Sequence, residues 1–137
     1  MTDIYSELKQ LKLEFDSLPD GFARYSYLVE LAALLPEPTE VLRQERHLYR
    51  GCQSQVWLEV SVLNGRVQLS ADSDTLLIRG ILYLFRELLN GRPANEVLSA
   101  RFTLLEELSV AEHFSSRRSS GIAGLLPEIQ RRVQNEL

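Results

Sequence analysis

Gln55-Val56-Trp57-Leu58-Glu59-Val60-Ser61-Val62-Leu63-Asn64-Gly65-Arg66-Val67-Gln68-Leu69-Ser70-Ala71 is the stretch on which the fold turns. Val56, Leu58, Val60 and Val62 alternate with Trp57, Glu59 and Ser61. Val67, Leu69 and Ala71 alternate with Gln68 and Ser70. Period-two alternation marks strands with one buried face, because successive side chains point to opposite sides of a sheet. Asn64-Gly65 between them reads as a two-residue hairpin turn, since both residues accept positive φ. Strands over 55–63 and 66–71 therefore pair antiparallel and share one apolar face that needs a cover.

The cover is expected from residues 75–89. Leu77, Ile78, Ile81, Leu82, Leu84, Phe85, Leu88 and Leu89 make a broad apolar surface on a helix. Ser73 or Asp74 is placed to cap its start; for Asp74 the readings are a cap, a regulator of the loop around residue 52, or both, with the cap favoured. Gly91 suits the position after its end, and Pro93 the first turn of the next helix. Short helices are expected over 93–99 and 103–109. A last helix is expected over 115–136, with Pro127 inside it predicting a kink or break.

Upstream, Ile4, Leu8, Leu11 and Phe15 form one helical stripe over 3–16, with Asp3 as a possible N-cap. Pro19-Asp20-Gly21 reads as a turn. A second helix is expected over 22–35, ended by Pro36 and Pro38. Residues 39–46 are polar and short of pattern, with room for another helical turn. His47-Leu48-Tyr49-Arg50 reads as a short third strand. The whole, 1–137, is expected to be one α+β domain: about three antiparallel strands packed by helices.

Composition narrows the function. Hydrophobic residues are 45% of the chain, enough for a core of this size. The net charge is −4, so no basic stripe announces a nucleic-acid surface. Arg117, Arg118, Arg131 and Arg132 are too few against 19 acids. No apolar run approaches a membrane span and the N-terminus carries no signal-peptide pattern, so a cytoplasmic location is expected. An acidic chain with one working surface is expected to be a monomer or a weak dimer.

The chain holds one cysteine, Cys52. It can form no internal disulfide and no multi-thiolate cluster site. With only His47 and His113 besides, no metal or cofactor of its own is expected. Cys52 follows Gly51 and is read as exposed, or exposable, in a loop tip leading into the hairpin, with Arg50 two residues away and Arg117 and Arg118 able to approach in space. A cationic setting lowers a thiol's pKa and makes it a nucleophile. The competing reading is a small buried hydrophobe, which describes most free cysteines. Local sequence leaves both open. A Cys–His dyad with His47 lacks any orienting residue or oxyanion site.

Three segments carry a family resemblance. Gly51-Cys52-Gln53-Ser54-Gln55-Val56-Trp57 resembles the active-site segment of the SufE family, the sulfur-acceptor partners of cysteine desulfurases. Ala71-Asp72-Ser73-Asp74 followed by Ile78-Arg79-Gly80 resembles that family's segment at the start of its long helix. Arg118-Ser119-Ser120-Gly121-Ile122 resembles its segment at the start of the last helix. The departures are His47 in place of the family's asparagine, Tyr49 at an aliphatic position, Ala71 for glycine and Arg117 for serine.

The resemblance implies a SufE-like fold, similar to the IscU type of scaffold, and a task. A pyridoxal-phosphate desulfurase of the SufS or CsdA kind would hold sulfur as a persulfide. Cys52 would take that sulfur, stimulate the desulfurase, and pass the sulfur to an iron–sulfur scaffold or another acceptor. The pyridoxal phosphate would belong to the desulfurase, and the chain would be a transfer partner, not a stand-alone enzyme. Gly51, Gln53, Ser54, Asp74 and Arg118 are the supporting candidates. Arg118 would favour the thiolate, while Gln53, Ser54 and Gln55 would hold the loop by side-chain hydrogen bonds. Cys52 is expected to be tucked against apolar residues at rest and turned out on binding. The alternatives are a non-covalent regulatory adaptor of a desulfurase, and an iron–sulfur or metal scaffold using Cys52 across a dimer.

Overall fold

The computed structural model describes residues 3–137. Helix α1 (Ile4–Asp16) starts at Asp3, whose carboxylate accepts the Ser6 N–H at 2.8 Å. Ile4, Leu8 and Phe15 are buried along the predicted stripe. Helix α2 (Gly21–Leu31) is capped by Asp20, which accepts the Ala23 N–H at 2.8 Å. The predicted turn at 19–21 thus doubles as a helix start. α2 is shorter than the expected 22–35 and gives way to a 3-10 turn at Ala32–Leu34. Pro36 forces Leu35 into extended backbone, so the regular helix has to unwind before it. In the following strap, Leu42 is buried and a second 3-10 turn covers Glu45–His47.

The sheet has three antiparallel strands in the order β1-β2-β3. Here β1 is Leu48–Tyr49, β2 is Val56–Leu63 and β3 is Arg66–Ser73. β1 is shorter than the expected 47–50 because His47 belongs to the 3-10 turn and the chain bends away after Tyr49. Asn64 and Gly65 take φ of 53° and 78° at the hairpin, as their types demand. The register sets Leu58 opposite Ala71, Val60 opposite Leu69 and Val62 opposite Val67, so the apolar residues share a face.

The other face is not solvated at its base. Trp57 lies opposite Asp72, and both are buried. Arg43 reaches from the strap, lies 4.9 Å over the Trp57 ring and donates to Asp72 at 2.7 Å. Arg79 approaches the other Asp72 oxygen at 3.2 Å. A buried carboxylate is tolerated only when paired in this way. Trp57 is therefore a packing residue.

Helix α3 (Leu76–Leu89) buries Leu77, Ile78, Ile81, Leu82, Leu84, Phe85, Leu88 and Leu89 against the sheet and the first two helices. It ends at Asn90, and Gly91 takes φ of 80°. The chain then runs through α4 (Ala94–Ser99), α5 (Leu104–Glu107), α6 (Ser116–Ala123) and α7 (Leu125–Asn135). The expected last helix is thus two, and the break falls at Gly124, not at Pro127. Pro127 sits in the first turn of α7, where no in-helix acceptor waits for its missing N–H. Among the described residues, no helix is long and apolar enough to cross a membrane.

Arg132 fastens α7 to the sheet. Its guanidinium donates to the carbonyls of His47 at 3.1 Å, Leu48 at 3.0 Å and Leu58 at 2.6 Å, and to Glu128 at 2.7 Å. Hydrogen bonds from Arg131, and then those from Arg132, hold the Glu128 carboxyl below its ordinary value near 4.5, outweighing its partial burial. A lowered folded-state pKa contributes stability above the ordinary value and loses it as pH falls through the folded value. Glu128→Gln is therefore expected to cost about 1 kcal/mol at pH 7. In urea unfolding, the gap from the native protein should close as the pH is taken below 4.5.

Candidate functional site

Cys52 lies in the loop between β1 and β2, and both ends of that loop are tied down. At the entry, the Tyr49 hydroxyl donates to the Gly121 carbonyl of α6 at 2.8 Å. At the exit, Gln55 is held through its backbone. Its N–H donates to the Asp74 carboxylate at 3.1 Å, and its carbonyl accepts from the Ser73 hydroxyl at 2.7 Å and the Asp74 N–H at 3.3 Å.

These contacts correct two expectations. Neither Ser73 nor Asp74 caps α3. Thr75 occupies the cap position, with no side-chain cap bond. β3 runs on to Ser73 opposite Val56, which brings Asp74 beside Gln55, and the carboxylate is engaged there. The loop is also not held by glutamine side chains: Gln53 and Gln55 are exposed, and the tether at Gln55 is its main chain.

The sulfur itself is half-buried and packs on the core. The loop lies flat on α6 at Gly121. A methyl group there would stand 2.9 Å from the Gly51 carbonyl oxygen and 3.0 Å from the Cys52 sulfur. Such spacing leaves no room for any larger residue. Gly51 and Gly124 are both crowded by the Tyr49 hydroxyl, so neither tolerates a side chain without moving that ring.

Arg118, in the first turn of α6, donates to the Ser54 hydroxyl at a long 3.5 Å, and its own N–H is capped by Ser115 at 3.2 Å. Burial pushes the Cys52 thiol above its ordinary value of 9.0, and the nearby Arg118 guanidinium pulls the other way with less effect. The net shift is thus upward, opposite to the lowering expected from Arg118 alone. Burial is the larger influence, so a sulfur brought into water would ionise more readily than it does in this fold. Arg118→Ala is expected to push the thiol higher still and slow its alkylation severalfold at neutral pH. An unchanged rate would show that the guanidinium acts only on Ser54.

The structure brings together Gly51, Cys52, Ser54 and Arg118, with Asp74 at the loop's exit. Gln53 stands exposed beside the sulfur. Arg117 is exposed, and Arg50 pairs with Glu45 at 3.0 Å. His47 makes no dyad: its Nδ1 lies 3.0 Å from the Leu42 carbonyl and its Nε2 3.7 Å from Glu59. Tyr49, Gly121 and Gly124 form the bed of the loop and were not singled out from sequence as parts of the site. Among the described residues, no group of three or more His, Cys, Asp and Glu side chains could hold a metal ion.

Comparison with known proteins gives the chain its relatives. The chain is 31% identical to an uncharacterized SufE-like protein of Rhizobium etli, over 91% of this chain and 88% of that one. It is 28% identical to an uncharacterized SufE-like protein of Rhizobium meliloti, over 96% and 98% of the two chains. The solution structure of a hypothetical protein from Thermus thermophilus has the same fold, with a TM-score of 0.76 and 27% identity over 94% of each chain. The SufE model, described as an Fe-S metabolism associated domain, matches residues 9–133. With its cysteine loop laid on a helical glycine and its α+β frame, the chain belongs to the SufE family, whose theme is iron–sulfur metabolism and sulfur transfer.

Proposed function

We propose that Cys52 is the sulfur-accepting nucleophile and that the protein relays sulfur from a cysteine desulfurase to an iron–sulfur assembly acceptor. The observation that carries this reading is the placement of the chain's single thiol: half-buried in a loop tied at both ends, next to one arginine and clear of any second thiol. A second thiol nearby would attack a carried persulfide and discharge it early.

The step is thiol exchange. The Cys52 thiolate attacks the outer sulfur of a cysteine persulfide on the donor. A bond forms between Cys52 Sγ and that sulfur, the donor's sulfur–sulfur bond breaks, and its electron pair leaves on the donor thiolate. The proton given up by Cys52 is taken by the leaving thiolate or by water. No oxidant is required, because the sulfur–sulfur bond is exchanged and not made anew. Pyridoxal phosphate serves the donor and not this chain. Gly51 and Gly121 allow the loop to lie close, Ser54 and Arg118 flank the sulfur, and Asp74 holds the loop's exit.

Intact-mass measurement tests the reading. The reduced protein, mixed with a cysteine desulfurase and free cysteine and weighed without reductant, is expected to gain one sulfur atom. No gain with several desulfurases would overturn the covalent relay and leave the adaptor reading in its place.

A further inference from the structure

Tyr49 stands where the SufE resemblance expects an aliphatic residue, and its hydroxyl has a built place to go. Gly121 lies in the last turn of α6, where carbonyls lack a donor within the helix. The α6–α7 break at Gly124 keeps that carbonyl open, and the Tyr49 hydroxyl fills it at 2.8 Å. The same hydroxyl occupies the space that a side chain on Gly51 or on Gly124 would need. The bond therefore spans from the residue three before the sulfur to the glycine on which the sulfur rests.

We infer that Tyr49 is a positioning residue that locks the Cys52 loop onto α6, so that its hydrogen bond to Gly121 sets how often the sulfur is presented. This rests on the sulfur-relay reading for its purpose, but the lock itself is a property of the resting protein. The Gly51 backbone rests on this hydroxyl, so an opening that lifts the end of β1 together with the loop takes from Gly121 its side-chain donor and leaves the phenol to water. The opening equilibrium thus carries the cost of one part-buried hydrogen bond. A partner that offers the tyrosine hydroxyl or the Gly121 carbonyl a substitute bond would offset that cost, which makes presentation partner-dependent. The charged and titratable groups around the thiol and this phenol are Arg118 on α6 and Glu128 on α7.

Tyr49→Phe keeps the ring and removes the bond. It is expected to raise the rate of Cys52 alkylation by iodoacetamide about three- to tenfold, the loss of one such hydrogen bond. The pH midpoint of alkylation should move down as the sulfur spends more time in water. Gly124→Ala, which drives a methyl group into the hydroxyl's place, is expected to do the same from the opposite side. The double variant should be no faster than either single one. Thermal unfolding of each variant reports whether the fold is kept. Alkylation of folded Tyr49→Phe at the native rate and with the native pH midpoint would overturn the lock. So would a double variant in which the two effects multiply. Sulfur uptake is read separately by intact mass. Faster alkylation without any sulfur uptake would retain the lock and refute the relay.

Discussion

Cys52→Ser is expected to take up no sulfur at all from a cysteine desulfurase while unfolding at close to the native temperature. The substitution replaces one half-buried atom, so packing changes little. The chemistry changes entirely. A serine hydroxyl does not ionise near neutral pH, and no other thiol exists in the chain to take over. The two halves of the proposed role separate in this variant. If desulfurase turnover is no longer stimulated, stimulation requires covalent acceptance, as the relay predicts. If full stimulation survives the loss of the thiol, the protein acts as an adaptor and the relay is wrong. Sulfide release measured with native protein, the serine variant and no addition decides between them.

Gly80→Ala is expected to be among the most damaging single substitutions for stability. Gly80 is buried within α3 where α2 packs against it. An added methyl group would collide with the Leu28 backbone carbonyl, with the Ala32 N–H also in contact at 3.6 Å. Neither can rotate away as a side chain would. The usual gain of alanine over glycine within a helix, about 1 kcal/mol, is overrun by this clash. Overpacking typically costs about 1–3 kcal/mol, and a clash with backbone belongs at the upper end, so about 3 kcal/mol is expected. For a domain of this length that is roughly a 10 °C fall in Tm. A melting temperature equal to or above native would show that α2 and α3 can part here at no cost. Cys52 alkylation in the folded variant should stay at the native rate, because the cysteine loop is held by α6 and by the end of β3.

The hairpin, the helix that covers it and the cysteine segment were all legible in the residues, because each is a local pattern. Alternation set the strand faces, and Asn64-Gly65 could satisfy the positive φ of their turn whatever lay elsewhere. The eight apolar positions of α3 needed a sheet to cover, and the only apolar sheet face in the pattern was the hairpin's. Asp3 as a cap needed nothing beyond the next three residues. Asp74 was read as a cap on the same grounds and is not one. β3 extends to Ser73, and pairing across the sheet brings Gln55 within reach of the carboxylate first.

The kinds of element, the faces they bury and the one thiol of the chain are written in short stretches of the sequence, since period, turn chemistry and a unique cysteine are local properties. The state of that thiol is not. Its pKa depends on how much water the folded chain leaves around the sulfur, and on an arginine 66 residues further along. The loop's bed of Gly121, Gly124 and the Tyr49 hydroxyl is made by residues up to 75 positions apart, and no pattern within one segment encodes a contact among three.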